Sequence, residues 1–107
     1  MTKRMRSELV LALVVAVAGS VGFAQSAGEA VYKAKCQSCH GSTGTPNPGI
    51  AKTMGVKPTN DADYKKMTED QMIASVKNGK GKMTAFAGKL TDQQIKDAVT
   101  YFRSLGK

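Results

Sequence analysis

The two cysteines and the single histidine of this chain lie close together, in the order Cys36, Cys39 and His40. Two thiols three residues apart at the end of a helix can reach one edge of a flat ring, and the next residue can point its imidazole beneath that ring. The sequence Cys-x-x-Cys-His is the attachment pattern of c-type haem. The pattern therefore predicts one covalent haem c, bonded to Cys36 and Cys39, with His40 as a ligand of its iron.

Three other kinds of site use cysteines at this spacing. A structural zinc site needs about four ligands, more than these three residues supply. A thioredoxin-like redox pair normally adjoins a βαβ unit, and no segment here alternates like a strand. A disulfide between Cys36 and Cys39 would close a short loop, which stabilises little, and would leave His40 without a role. Haem accounts for all three residues.

The second axial ligand of the iron has to come from another residue type, because the chain has no other histidine. The candidates are the methionines that follow the cysteines: Met54, Met67, Met72 and Met83. Met72 falls on the apolar face of a predicted helix, and Met67 just precedes that helix, so both suit a core. Met54 follows His40 closely in the first loop. Met83 stands alone among polar residues and lies far enough along the chain to reach the opposite face of the ring, so we expect it to be the ligand.

Helices must position these residues. Residues 28–38 are predicted to form a helix that leads into the cysteines, and residues 61–67 a short helix or turn. Thr68 and Thr91 each begin a capping box, which marks the start of a helix. Apolar residues follow the second box at helical spacing: Ile95, Ala98, Val99 and Phe102.

Two glycine-rich loops, 41–57 and 79–90, separate these helices. Loops this long in a small domain need something inside them to hold the backbone. The prolines and glycines of the first loop rule out a long helix or a central strand. We therefore expect an all-α fold of three to five short helices, with long loops wrapped around one haem.

The N-terminal segment has the organisation of a secretory signal peptide. Basic residues precede an apolar run over residues 9–18, and small residues follow up to Ala24. A membrane-spanning helix would need about 20 apolar residues. We expect residues 1–24 to be a cleaved signal peptide, residues 25–107 to be one haem domain and the protein to reside in the periplasm; an uncleaved leader that tethers the domain to the membrane is the alternative.

The composition points to a surface for protein partners. The net charge is +8, and the chain has no Trp and few large apolar residues, so a cofactor is needed to complete its core. The lysines are spread along the chain without an aromatic stacking platform, which argues against nucleic acid. We expect a monomer that docks on acidic surfaces of redox-partner proteins and has no small-molecule substrate.

Four stretches together resemble the class I c-type cytochromes, small single-haem proteins with histidine and methionine ligands. They are the GxxxYxxxC segment at 28–36, which leads to the first cysteine, the CxxCHG stretch at 36–41, the GKGKMTAF loop at 79–86 and the last helix at 90–105. The resemblance implies that residues 25–107 are a cytochrome c domain with a partly exposed haem edge. It also implies that the first and last helices cross closely, with Gly28 and Tyr32 packed near Tyr101.

In that family a proline carbonyl accepts a hydrogen bond from the ligating imidazole, as ligand-orienting groups commonly do. Pro48 is our prediction for this acceptor to His40, with Pro46 as the alternative. The family's methionine loop usually has proline directly after the ligand, whereas Thr84 follows Met83 here. The fixed φ angle of proline is therefore missing from this loop.

The expected function is single-electron transfer. With His40 and Met83 both bound, the iron has no open position, so its chemistry reduces to exchange between Fe(III) and Fe(II). We therefore expect a carrier and not an enzyme. A haem enzyme or gas sensor with a detachable Met83 is the alternative.

Overall fold

The computed structural model describes residues 26–107. Its helices, in chain order, are α1 (26–35), α2 (Gln37–His40), α3 (Pro48–Met54), α4 (Ala62–Lys66), α5 (Glu69–Asn78) and α6 (Asp92–Leu105). This described range contains no β-strand, which confirms the all-α class, and none of its helices is long and apolar enough to cross a bilayer. The predicted signal peptide, 1–24, lies outside the described residues.

The described residues form six helices, which is more than the three to five expected, and two local features explain the difference. The first predicted helix is divided at Cys36, where a turn separates α1 from α2. The turn-rich stretch 41–57 contains α3, which Asn47 caps by accepting a 2.8 Å hydrogen bond from a first-turn N–H. Pro48 fits the first turn because its missing N–H would have no helical partner. Gly55 ends the helix in the left-handed region, with φ of 69°.

Both predicted capping boxes are confirmed. The hydroxyls of Thr68 and Thr91 accept 3.1 Å hydrogen bonds from the N–H groups of Gln71 and Gln94. The two glutamine side chains accept 2.9 Å hydrogen bonds from the threonine N–H groups in return. Each box satisfies N–H groups that have no partner within the helix, so α5 and α6 begin where the sequence predicts.

The hydrophobic core lies between α5 and α6. Met72 from α5 packs with Ile95 and Val99 from α6, and Ile95 is fully buried. Partly buried side chains surround these three: Tyr64, Met67, Ile73, Val76, Phe86, Leu90 and Phe102. The helical spacing of the apolar residues in α6 therefore serves one continuous core.

Helix α1 crosses α6 closely, as the family resemblance predicts. A Cβ atom at Gly28 would lie 2.3 Å from the backbone oxygen of Asp97 and 3.2 Å from the Cβ of Tyr101, so only glycine fits. One turn later, the buried ring of Tyr32 contacts the rings of Tyr101 and Phe102, with centroid distances of 5.3 and 6.2 Å. The predicted approach of Gly28 and Tyr32 to Tyr101 is confirmed.

Thr59 joins the first loop to the end of α6. Its hydroxyl donates a 2.9 Å hydrogen bond to the carbonyl of Phe102, which belongs to the last turn of that helix. Its N–H donates to the carbonyl of Gly44 at 2.8 Å. One buried threonine thereby satisfies a helix-end carbonyl and fixes the loop that follows the cysteines.

Candidate functional site

Cys36 lies at the break between α1 and α2, and Cys39 and His40 lie within α2. The N–H groups of Cys39 and His40 both donate to the carbonyl of Cys36, at 3.2 and 3.0 Å. The structure leaves both thiols free and partly exposed. All three residues line one cavity of about 560 Å³. The sequence motif therefore becomes a cluster of two thiols and an imidazole on one wall.

The remaining wall of this cavity is mostly apolar. Aliphatic and aromatic side chains from every part of the described fold contribute to it: Val56, Tyr64, Val76, Phe86, Leu90 and Phe102. A cavity of this size with a few polar groups at one edge is typical of a cofactor site. The residues present fit a flat, largely apolar ring that is bonded through two thiols and approached by an imidazole.

The environment of Cys36 argues against a reactive dithiol. Burial raises the pKa of the Cys36 thiol to about 11, and the neighbouring charge of Cys39 adds to the shift. A thiol with a raised pKa remains protonated near neutral pH and is a poor nucleophile. The thioredoxin-like alternative requires the opposite shift.

The imidazole of His40 is held in the neutral form that binds metal ions. Burial lowers its pKa, and its ring meets Phe102 edge-on at a centroid distance of 5.2 Å. Its Nδ1 atom is buried and has no hydrogen-bond partner among the described residues. Pro48 is exposed at the start of α3, whereas Pro46 is buried. The acceptor role of either proline stays a prediction.

Tyr32 supports the backbone next to His40, a role that the sequence did not predict. Its hydroxyl donates a 2.5 Å hydrogen bond to the carbonyl of Gly41, the residue directly after His40. Gly41 has φ of 83°, and a Cβ there would lie 2.0 Å from the carbonyl oxygen of Thr45. Burial raises the pKa of Tyr32 to about 12, with a further contribution from Cys36. The sequence signals an aromatic ring at this position, but the partner of the hydroxyl depends on how the loop folds.

The four candidate methionines all line the cavity: Met54, Met67, Met72 and Met83. Met54 ends α3, Met67 caps α4 and Met72 lies in α5. Met83 differs because it lies in the loop between α5 and α6, where its N–H and carbonyl pair with Lys80 at 3.0 and 3.3 Å. The structure thus places Met83 in the lining of the same cavity as the imidazole, and its assignment as the ligand stays a prediction.

Positive side chains form part of the cavity lining. They come from α1, the first loop and the loop before α6: Lys35, Lys57, Lys80 and Lys82. Among them, Lys57 pairs with Asp63, and this pairing raises the pKa of the lysine and lowers that of the carboxyl. The cavity rim is therefore mainly basic.

Residues 23–102 match the family described as cytochrome c oxidase, cbb3-type, subunit III. Cytochrome c6 of Leptolyngbya boryana is 41% identical over 76 residues, which cover 71% of this chain and 86% of that protein. Cytochrome c6 of Pyropia yezoensis is 36% identical, over 78% of this chain and 80% of its own length. The solved structure of the KustC0563 c-type cytochrome has a TM-score of 0.67 and 28% identity, and covers 75% of this chain and 98% of its own. The matched range contains every predicted site residue.

Proposed function

We propose that this chain, which belongs to the small class I c-type cytochromes, attaches its haem through Cys36 and Cys39 and ligates the iron through His40 and Met83. The chain is an electron carrier with a covalently bound haem c, and it is not an enzyme. One observation supports the proposed residues above all. Both thiols, the imidazole and the thioether of Met83 line the same largely apolar cavity.

Each proposed residue has a distinct task. When bound, the haem supplies the exchange between Fe(III) and Fe(II). Cys36 and Cys39 hold its edge through thioether bonds, which keep it attached in an exported protein. His40 presents a neutral imidazole, and Met83 presents a thioether, which favours the reduced metal and raises the reduction potential. The apolar wall limits the access of water to the site.

Two side-chain ligands would occupy both open positions of the haem iron, which explains why the protein is a carrier and not an enzyme. With His40 and Met83 bound, oxygen or peroxide would first have to displace a side chain. The carrier function therefore follows from a closed coordination sphere, whereas the gas-sensor or peroxidase alternative requires an open one. Similarity to cytochromes c6 supports the carrier.

The basic rim supports docking on acidic partner surfaces. Lys35, Lys57, Lys80 and Lys82 lie where a partner would approach the cavity, and the net charge of the chain is +8. Long-range attraction between such surfaces accelerates encounter and weakens as salt is added. We propose a monomer that forms brief, salt-sensitive complexes with acidic redox proteins.

Export to the periplasm is also part of the proposal. The basic, apolar and small-residue segments of 1–24 support a cleaved leader, and an uncleaved leader would give a membrane-tethered carrier instead. N-terminal sequencing of the protein from the cell fraction distinguishes these two forms. A start at or near residue 25 is the expected result.

The ligand assignment can be tested on haem-loaded protein from a host that attaches c-type haem. Mass spectrometry should show the chain plus one haem. The ferric protein should show the weak sulfur-to-iron absorption band, and Met83→Ala should abolish it. Met54→Ala is the matched control, because Met54 lines the same cavity, and it should keep the band. A band that survives Met83→Ala would contradict the assignment.

A further inference from the structure

The segment that carries Met83, residues 79–85, is here called the methionine loop. Its first N–H, from Gly79, donates to the carbonyl of Ser75 at 2.9 Å, and directly after its end the N–H of Phe86 donates to the carbonyl of Val76 at 2.9 Å. Both hydrogen bonds lead back to the last turns of α5. The backbone of the methionine loop is therefore attached to one element, at the two ends of the loop.

Between those ends the two backbone hydrogen bonds that join Lys80 and Met83 close a turn within the loop, but they do not attach it to another element. Gly79 and Gly81 both have positive φ, at 77° and 61°, and glycine has the widest conformational freedom of all residues. Thr84 follows Met83, so no proline ring fixes the angle after the ligand. Without a contact to a second element, this turn could shift as a unit on its two ends and carry the thioether with it.

Lys82 supplies that contact. Its ammonium donates a 2.7 Å hydrogen bond to the carbonyl of Thr53, which belongs to the last turn of α3. Carbonyls in the last turn of a helix lack helical partners, and a charged donor makes a stronger hydrogen bond than a neutral one. Among the described residues, this is the side-chain hydrogen bond that joins the methionine loop to a different helix.

The two ends of this contact lie beside the cavity. Lys82 directly precedes Met83, and Thr53 directly precedes Met54, and both methionines line the cavity together with Lys82. The hydrogen bond therefore links two segments of the cavity wall that are 29 residues apart in the chain.

We propose that Lys82 is a positioning residue, which holds Met83 in place for the iron by fastening the methionine loop to the end of α3. This inference rests on the proposed function, because it takes Met83 as the ligand. It goes beyond that function by assigning the restraint on the ligand to one side chain. An exposed lysine that served only to attract partners would contribute charge but no such restraint.

Exogenous imidazole measures the restraint directly, because it competes with Met83 for the iron of the ferric protein. Its affinity is obtained by titration, with the loss of the sulfur-to-iron band as the signal. We expect Lys82→Gln to bind imidazole about fivefold more tightly than the wild type, the change expected from losing one hydrogen bond. Lys82→Met, which keeps the apolar stem but no donor, should behave in the same way.

Lys80→Gln is the matched control. Lys80 belongs to the same loop, lines the same cavity and carries the same charge, but its ammonium makes no hydrogen bond among the described residues. This variant should stay within about twofold of the wild-type affinity. Equal changes in Lys80→Gln and Lys82→Gln, or an unchanged affinity in both Lys82 variants, would overturn the proposal.

Failure of the ligand assignment gives a different result. If another methionine ligates the iron, Met83→Ala keeps the sulfur-to-iron band and binds imidazole as the wild type does; if the ligand is not a methionine, the wild type itself lacks the band. If Met83 is the ligand and Lys82 does not restrain it, Met83→Ala loses the band while both Lys82 variants match Lys80→Gln.

Discussion

The α5–α6 pair and the segment that carries the cysteines, residues 36–59, differ in what keeps their backbones in place. Each helix of the pair begins with a capping box closed by residues three positions apart, and the pair shares a buried core. The cysteine segment depends on partners far along the chain, such as the hydrogen bond from Thr59 to Phe102. It also faces a cavity of about 560 Å³. Local interactions organise the first region, whereas the second needs the rest of the molecule and its cofactor.

Removal of the haem should have the largest effect on stability, and it should disrupt the cysteine segment more than the α5–α6 pair. Without the haem, the largely apolar lining of a cavity of about 560 Å³ would be exposed to water. The net stability of a domain is only about 5–15 kcal/mol, so the loss of this burial can remove much of it. We expect the Cys36→Ala/Cys39→Ala chain to lose its cooperative unfolding transition and part of its helical circular dichroism, with the remaining helical signal coming from α5 and α6. A haem-free chain with full helix content and a sharp transition would contradict the comparison.

Shortening Ile95 tests the self-supporting region. Ile95 is fully buried in the core, so Ile95→Ala should lower the free energy of unfolding of the haem-loaded protein by about 3 kcal/mol. Its exposed neighbour Lys96, changed to Ala, should alter that free energy by less than about 0.5 kcal/mol. Urea unfolding measures both values. Equal losses in the two variants would show that the core does not lie where the structure places it.

Tyr32→Phe tests the region around the cysteines with a smaller change. It removes only the hydroxyl that donates to the carbonyl of Gly41. That part-buried carbonyl then keeps only the longer 3.3 Å hydrogen bond from the N–H of Gly44, and the protein should lose about 1 kcal/mol. Tyr101→Phe is the control, because its ring also contacts Tyr32 but its hydroxyl makes no hydrogen bond among the described residues. Urea unfolding should show a clear loss for Tyr32→Phe alone; similar losses would mean that the hydroxyl does not support the site.

The stabilities of Tyr32→Phe and Tyr101→Phe should also depend differently on pH. Burial raises the pKa of Tyr32 from 10.0 to about 12, so the folded protein keeps a proton that the unfolded chain releases. The stability linked to this group is present below about pH 10 and is lost as the pH rises towards about 12. Tyr32→Phe should therefore lose less stability than Tyr101→Phe over this range.

Sequence patterns predicted the features that depend on nearby residues. The boxes at Thr68 and Thr91 are complete within four residues, so they could be recognised without knowing the fold. The close approach at Gly28 came from the family resemblance. The bond from Tyr32 and the link through Thr59 could not be predicted, because each joins a side chain to a carbonyl whose position depends on loop geometry. Such pairings leave no periodic signal.

Helix α3 shows a different reason for a missed element. Its capping signals are present, with Asn47 before Pro48 at the start and Gly55 at the end. The same residue types also mark turns, and a helix of seven residues is too short to show an apolar period. Cys36, Cys39 and His40, in contrast, could be recognised as a candidate site from the sequence, because haem attachment requires this spacing, whereas Met83 was selected among four methionines and stays a prediction.

Helix α6 extends from the hydrophobic core to the imidazole of His40. Ile95 and Val99 lie in the core, while Phe102, near the end of the helix, contacts the ring of His40 and accepts the hydrogen bond from Thr59. The ends of a helix fray more readily than its centre. We therefore expect melting curves recorded at haem wavelengths to respond to the loosening of this helix terminus before the whole fold melts.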